Sequence, residues 1–450
     1  MTDTENLWIK VEGRDVEARP GAVLMESLVT SGVLLRSDCG GRGRCGKCLI
    51  LARSSAQGAL SAADDAERAF LGAERLAAGY RLACRARVFA EATIEIPQES
   101  RLTPEVVQKG LPVLLSKPPA MPPGSTEPSS SGYGVAVDVG TTTLAVYLCD
   151  LSRRSIVGST SARNPQAIFG DDVISRINAV RMDTGTLPRL QKMTASAIVW
   201  AISALCRRFK VDPSAVGEMV AVGNSTMIHL LLGQDPSPIA IFPFVPRFYD
   251  DQLVAAESVG LAVNASARLR TLPLISGYLG ADIVSAALAA DLGNNDVGTM
   301  LVDIGTNGEI ILVTDRGWAA ASCATGPAFE GASIRYGMQA TSGAIDSACF
   351  VPKKGRLDYS VMQTADGMKK PPAGICGSGV ISIIAELLRA GVITKSGSFN
   401  KAFTSSCWRS GENSILEFEI VPADLTLTHH PIPLTQGDVR AIQLAKGALR

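Results

Sequence analysis

Residues 299–313, TMLVDIGTNGEIILV, read as an apolar strand, a polar turn and a second apolar strand. The turn is Asp303-Ile304-Gly305-Thr306-Asn307-Gly308. Glycine there lets backbone N–H groups approach a phosphate closely, and threonine and asparagine add donors for its oxygens. The carboxylate of Asp303 suits two tasks, holding a hydrated Mg2+ or orienting an attacking water. The pattern recurs earlier in the chain. Residues 133–148, YGVAVDVGTTTLAVYL, set Asp138-Val139-Gly140-Thr141-Thr142-Thr143 in the same context. A single D-x-G-T is an ordinary tight hairpin. Two of them, each between apolar strands, predict two similar lobes facing each other across a cleft, both turns offered to one polyphosphate.

With 450 residues the chain is too long for one core. Its composition is 46% hydrophobic, ample for a large interior, while Lys+Arg and Asp+Glu both number 43. No global basic field therefore points to nucleic acid. The opening MTDTENLWIKVEG is acidic and polar and does not read as a signal peptide. The longest apolar run, residues 195–206, is too short to span a bilayer. These features predict a cytoplasmic protein without a membrane partner. In that compartment ten cysteines read as metal or redox ligands rather than disulfides.

Four of them, Cys39, Cys45, Cys48 and Cys84, follow the spacing C-x5-C-x2-C-x35-C. Three thiolates on the Gly-rich loop SDCGGRGRCGKC, with a distant fourth, match what a 2Fe–2S cluster needs. The first gap is one residue longer than in plant-type ferredoxins and resembles the adrenodoxin-like branch. Structural zinc would favour paired C-x2–4-C knuckles, and only Cys45 and Cys48 form one. Two other motifs overlap the loop. Gly41-x-Gly43-x-x-Gly46 matches a dinucleotide fingerprint, and Gly41 to Lys47 nearly matches a P-loop. Neither follows a strand and opens a helix, and Cys48 stands where a P-loop needs Ser or Thr. Around the loop, LWIKVEG and RDVEARP predict a hairpin and residues 23–33 a helix. Residues 48–51, 80–84 and 92–96 predict strands, together a β-grasp ferredoxin.

Residues 117–132, KPPAMPPGSTEPSSSG, form a Pro/Ser/Gly tether. It serves either as a passive spacer or as a leash that lets the cluster visit more than one partner. Beyond the first turn, Asp171 and Asp172 in FGDDVISRI are read as helix caps or cleft carboxylates, with a helix over 195–208. His229 falls on an apolar helix and reads as a core or surface residue, not a ligand. Asp282 caps an Ala-rich helix or faces the cleft, and Glu330 in ATGPAFEG is a further cleft candidate. GICGSG at 374–379 opens a helix whose N-terminus suits an anion, or else packs closely on a strand. Cys149, Cys206, Cys323, Cys349, Cys376 and Cys407 have no partner at ligand spacing and read as packing residues.

The paired D-x-G-T turns resemble the phosphate motifs of the sugar kinase, chaperone and actin superfamily of ATPases. NPQ at 164–166, FGDDVISRI, VGNSTMIHLLLG, DIGTNGEI, ATGPAFEGA, GICGSG and TQGDVRAIQLAKGALR, with the ferredoxin motif ahead of them, resemble the reductive activators of corrinoid-dependent methyltransferase systems. The resemblance implies an α+β and α/β multidomain chain. Its parts are a β-grasp 2Fe–2S ferredoxin (residues 1–97), a linker (98–131) and a two-lobed actin-like, ribonuclease-H-like ATPase (132–295 and 296–450). It implies ATP-dependent transfer of one electron from the cluster to a Co(II) corrinoid, giving Co(I). The partners would be a corrinoid protein and an upstream low-potential electron donor, and a homodimer is a further expectation. Within that reading Cys39, Cys45, Cys48 and Cys84 hold the cluster. Gly140, Thr141, Thr142, Thr143, Gly305, Thr306 and Asn307 hold ATP, and Asp138 and Asp303 handle Mg2+ and water. Family members continue past the equivalent of residues 436–450 into a Gly-rich segment resembling an adenosine motif. The second lobe is therefore expected to be shortened, with the chain a fragment or adenosine held otherwise. The competing reading is a redox-sensing ATPase or small-molecule kinase whose cluster is regulatory.

Overall fold

The structure, a computed structural model, describes residues 6–37, 40–43, 45–55, 58–102, 106–107, 132–330, 334–338, 340, 342–363, 370–411, 414–427 and 430–450. Cys39, tether residues 117–131 and the side chain of Glu330 lie outside the description. The chain divides into two compact units, Met1–Ala290 and Asp291–Arg450.

The first unit opens with a hairpin of β1 (Leu7–Val11) and β2 (Arg14–Ala18). Glu12 and Gly13 form its two-residue turn with φ of 51° and 83°, the left-handed pair that suits strand twist. Then come α1 (Leu24–Thr30), β3 (Leu49–Ser55), α2 (Asp65–Ala77), β4 (Tyr80–Leu82) and β5 (Ala92–Glu95). The sheet order is β2-β1-β5-β3-β4, with β1 and β5 parallel. Its core is built by Ile9, Val11, Leu24, Leu28, Ile50, Leu82 and Ile94. Helix α2 was not legible in the sequence. It buries only Glu67 and Leu71 and is interrupted at Gly72, which takes a non-helical φ of 71°.

A seven-stranded sheet follows. Its members are β6 (Val106–Val107), β7 (Tyr133–Val139), β8 (Thr143–Asp150), β9 (Ser155–Arg163), β10 (Val216–Val222), β11 (Leu253–Ala255) and β12 (Arg268–Thr271). The order is β11-β12-β10-β7-β8-β9-β6. The hairpins β7-β8 and β8-β9 are antiparallel, whereas β10 runs parallel to both β7 and β12. This is the ribonuclease-H-like arrangement. Strict alternation buries Val135, Val137, Val139, Leu144, Val146 and Leu148 on one face. Each such side chain contributes about 1.5–3 kcal/mol of burial free energy. They pack against α4 (Thr186–Phe209), which follows α3 (Val173–Met182). Helix α4 starts earlier than the expected 195, because Leu190, Met193 and Thr194 are also buried. Pro188 lies in its first turn, where a missing N–H costs nothing. The unit closes with α5 (Ser225–Leu231) and α6 (Ala281–Ala289).

One face of α4 belongs to the ferredoxin. Met193 is fully buried in the ferredoxin core, and Leu34 packs against both cores. Arg189 donates to Glu26 of α1 at 3.0 Å and lies over the Phe169 ring at 5.2 Å.

The second unit repeats the hairpin theme with β13 (Met300–Ile304), β14 (Gly308–Thr314) and β15 (Gly317–Cys323), an antiparallel meander like β7-β8-β9. Next come β16 (Ala344–Val351), β17 (Arg356–Val361), β18 (Gly374–Ile375) and α7 (Gly377–Arg389). The last elements are β19 (Trp408–Ser410), β20 (Leu416–Val421), β21 (Ile432–Thr435) and α8 (Gln436–Leu449). Among the described residues these strands form three separate three-stranded sheets. The likeness between the units therefore lies in the turn-bearing meander. Among the described residues, no helix is long and apolar enough to cross a membrane.

Candidate functional site

The cysteine loop lies between α1 and β3. Gly46 has φ 63°, and a Cβ there would sit 1.9 Å from the Phe70 ring of α2. Gly41, at φ 86°, faces Ile168, whose Cγ2 would be 2.9 Å from an added Cβ. A side chain at either position would be strained by the left-handed backbone and would have to displace its neighbour. Cys48 and Cys84 are buried and Cys45 is half-buried. The Cys84 side is fixed by α2. Fully buried Glu67 accepts from Arg81 Nη2 at 2.8 Å and from Leu82 N at 2.8 Å, just ahead of the cysteine. Arg85 donates to Asp64, the N-cap of α2, at 2.6 Å. Among the described residues no group of three His, Cys, Asp or Glu gathers into a metal site. Cys39, needed to complete the four-thiol set, lies outside the description. Two buried thiols, a third half-buried and a glycine cradle have the chemistry of a thiolate-ligated cluster.

The first D-x-G-T turn joins β7 to β8. Asp138 pairs in register with Ala145 and Val222 and is exposed, because its even position faces away from the core. Thr141 and Thr142 are buried. Gly140 is required sterically, since a Cβ there would sit 2.4 Å from Thr143 O. Three residues beyond those read from the sequence hold this turn. Asn164 donates from Nδ2 to Gly140 O at 2.9 Å, and its N–H donates to Thr142 O at 2.7 Å. Asn224 donates from Nδ2 to Thr141 Oγ1 at 2.9 Å while its Oδ1 caps α5. Arg176, with no exposed surface, donates from Nη2 to Thr141 O at 2.5 Å. Their signal was present in NPQ, SRI and GNST but could not be assigned without tertiary contacts. Helix α6 approaches the same end of the sheet. A Cβ on Gly280 would lie 2.5 Å from Asn224 Cα, and Asp282 N donates to Gly223 O at 3.2 Å.

The second turn, Gly305-Thr306-Asn307, joins β13 to β14. Thr325 donates to Gly305 O at 2.7 Å and contacts Thr306 O at 3.0 Å, closing the turn from below. Gly308 is packed on three sides by Leu449, Thr325 and Cys323, whose nearest atoms would lie 2.8–2.9 Å from an added Cβ. Burial pushes the Asp303 carboxyl above its ordinary value, against the opposing pull of the Ile304 N–H. In register opposite Asp303 stands the buried Glu309, a second carboxylate that the sequence did not single out.

The remaining candidates separate. Asp172 caps α3, accepting from Ser175 N at 2.8 Å, whereas Asp171 pairs with Arg42 of the cysteine loop. His229 is buried. Its Nδ1 donates to Ser225 O at 2.7 Å, its Nε2 accepts from Arg247 N at 2.9 Å, and its ring stacks on Phe248. Burial lowers its pKa to about 4, so it is a neutral core residue. Gly379 of GICGSG packs so closely that a Cβ would lie 2.0 Å from Ile345 O. That is the packing alternative for this helix start. Cys349 is exposed, which corrects its reading as a packing residue; it lies on β16 with its side chain turned outward.

Three family models match the chain. A 2Fe–2S iron–sulfur cluster binding domain covers residues 9–89, the RACo middle region covers 133–311, and the C-terminal ASKHA domain of RACo covers 298–450. The corrinoid activation enzyme RamQ of Eubacterium limosum is 34% identical over 72% of this chain and 54% of its own length. The [Co(II) methylated amine-specific corrinoid protein] reductase of Methanosarcina barkeri is 26% identical over 58% of this chain and 52% of its own. The chain thus spans about half the length of these curated relatives. A solved structure, a reductive activator for corrinoid, iron–sulfur protein, aligns with a TM-score of 0.66 at 29% identity. That alignment covers 98% of this chain and 82% of the solved one.

Proposed function

We propose, for a chain that belongs with the reductive activators of corrinoid proteins, that it is a cytoplasmic activator passing one electron to the Co(II) of a partner corrinoid protein in an ATP-dependent step. One observation carries this reading: a cysteine loop of cluster chemistry and two D-x-G-T hairpins occur in a single chain. Cys39, Cys45, Cys48 and Cys84 would hold the 2Fe–2S cluster, which supplies a single low-potential electron. Burial of Cys48 and Cys84 keeps water from that side of the loop. An upstream low-potential donor would reload it.

Reducing a Co(II) corrinoid at such a potential is uphill, so a second energy source is needed. In the first unit the backbone of Gly140 and the side chains of Thr141, Thr142 and Thr143 would hold phosphate oxygens. Asn164, Asn224 and Arg176 fix the turn for that task before any ligand arrives. In the second unit Gly305, Thr306 and Asn307 would do the same. Asp138 and Asp303 would take Mg2+ or position water. The raised Asp303 carboxyl fits that role, because a half-buried carboxylate gains most from an arriving cation. Binding or hydrolysis then favours one conformation of the protein over another, the means by which ATP drives the transfer.

The test takes two steps. Calorimetry with Mg-ATP on cluster-loaded protein is expected to show micromolar binding. Ultraviolet–visible spectra of a corrinoid protein, with this chain and a low-potential donor, are then expected to show Co(I) only when ATP is present. Co(I) formation indifferent to ATP, or ATP use that yields a phosphorylated small molecule without any corrinoid, would sink the reading.

A further inference from the structure

The stretch from Arg163 to Arg176 touches both the first D-x-G-T turn and the cysteine loop. Toward the turn it sends the two Asn164 hydrogen bonds to Thr142 O and Gly140 O, and the Arg176 bond to Thr141 O. The same guanidinium donates to Gln166 Oε1 and Gly170 O, both at 3.0 Å, which fixes the intervening turn Pro165–Phe169. Toward the loop, Arg42 donates from Nε to Asp171 Oδ2 at 2.9 Å and makes a second contact from Nη2. Asp171 Oδ1 lies 3.5 Å from Arg163 Nη2. Arg163 in turn is the register partner of Thr143, the last residue of the turn. Shape reinforces charge here. A Cβ on Gly40 would sit 2.8 Å from Arg163 Nη2 and 3.1 Å from Asp171 Oδ1. The loop backbone therefore rests directly on the pair.

We propose that Asp171 is a positioning residue that couples the first D-x-G-T turn to the cysteine loop. This rests on reading the turn as a nucleotide site and the loop as the cluster site. Phosphates bound at Thr141–Thr143 pull on Asn164 and Arg163, Asp171 moves with them, and Arg42 follows. Arg42 stands midway between Cys39 and Cys45 in the chain. Its position sets the local field at the loop, and so the preference for one charge state over another. Linkage is reciprocal: if nucleotide alters that preference, the charge state alters nucleotide affinity by the same factor.

The experiment uses the cluster-loaded 450-residue chain and titrates the non-hydrolysed analogue Mg-AMPPNP calorimetrically, once oxidised and once reduced with dithionite. Wild type is expected to show affinities that differ by about fivefold or more. A tenfold difference would equal a midpoint shift of about 59 mV for this one-electron couple. Asp171→Asn is expected to bring the two affinities together while nucleotide still binds, and Asp171→Glu to restore part of the difference. Arg42→Ala approaches the same contact from the loop and is expected to act like Asp171→Asn. The coupling is overturned if both disruptive variants keep the wild-type difference. It is also overturned if wild type binds nucleotide equally in both states, a result that leaves the nucleotide reading intact. No nucleotide binding by any form would overturn both.

Discussion

Asp303 carries an electrostatic cost that the fold itself does not require. Its carboxyl is raised by burial, so it stabilises the folded state only while protonated. That contribution is complete below the ordinary value of 3.8 and is lost as pH rises through the folded pKa. Asp303→Asn is therefore expected to raise the melting temperature at pH 7, with the gain fading as pH falls toward 4. The same variant should lose the stabilisation that Mg-ATP is proposed to give the wild type. Thermal denaturation across pH, with and without Mg-ATP, reads both; a lower melting temperature at pH 7 would contradict the burial argument. His229 has the opposite sign. Its folded pKa of about 4 lies below 6.5, so its contribution is present above pH 6.5 and lost as pH falls through 4. Between pH 7 and pH 5 this one group should remove about 2 kcal/mol from urea-unfolding stability, and His229→Asn should flatten that slope. The cysteines and turn threonines were legible because their chemistry sits in short local patterns. Asn164 and Arg176 were not, because the turn carbonyls they hold are more than twenty residues away in sequence, and Glu309 was not, because only strand register sets it opposite Asp303.

Elements show the same division. The hairpins around both turns were readable because an apolar strand must alternate and a turn must carry small polar residues. Helix α5 was readable from the apolar run around His229, but the two jobs of Asn224 were not. It caps the helix and also holds Thr141. Asn224→Ala is expected to cost about 1–2 kcal/mol in denaturant unfolding and to weaken Mg-ATP binding as well. Asp172→Ala removes a cap of the same kind from α3, and is expected to cost about 1 kcal/mol with nucleotide affinity unchanged. Equal nucleotide effects in the two variants would show that the Asn224–Thr141 bond has no functional weight. At α7 the glycine-rich start is explained by contact. Gly379→Ala forces a methyl into Ile345 O and should cost about 3 kcal/mol, as overpacking does.

At the scale of the whole molecule, a Pro/Ser/Gly run between a ferredoxin and an actin-like domain reads as a boundary, because sequence is linear and docking is not. Docking is what the first unit shows. Met193 of α4 is buried in the ferredoxin core, and Arg189 reaches Glu26 from the same helix. The Arg42–Asp171 pair adds a third point of attachment. Two parts that share core side chains lose their packing together, so the ferredoxin and the first actin-like lobe are expected to unfold as one cooperative unit. The second unit, built around its own core of Ile345, Ile383, Phe418 and Leu434, is expected to melt separately. Calorimetry of cluster-loaded protein should then resolve two transitions, with the visible cluster absorbance disappearing in the one that belongs to the first unit. Met193→Ala removes a buried side chain at the seam and should cost about 2–4 kcal/mol. For a unit of this size that lowers its transition by about 5 °C, leaving the other in place. If the absorbance instead vanished in a transition that Met193→Ala does not shift, the ferredoxin would be unfolding alone, and the docking would carry no energy.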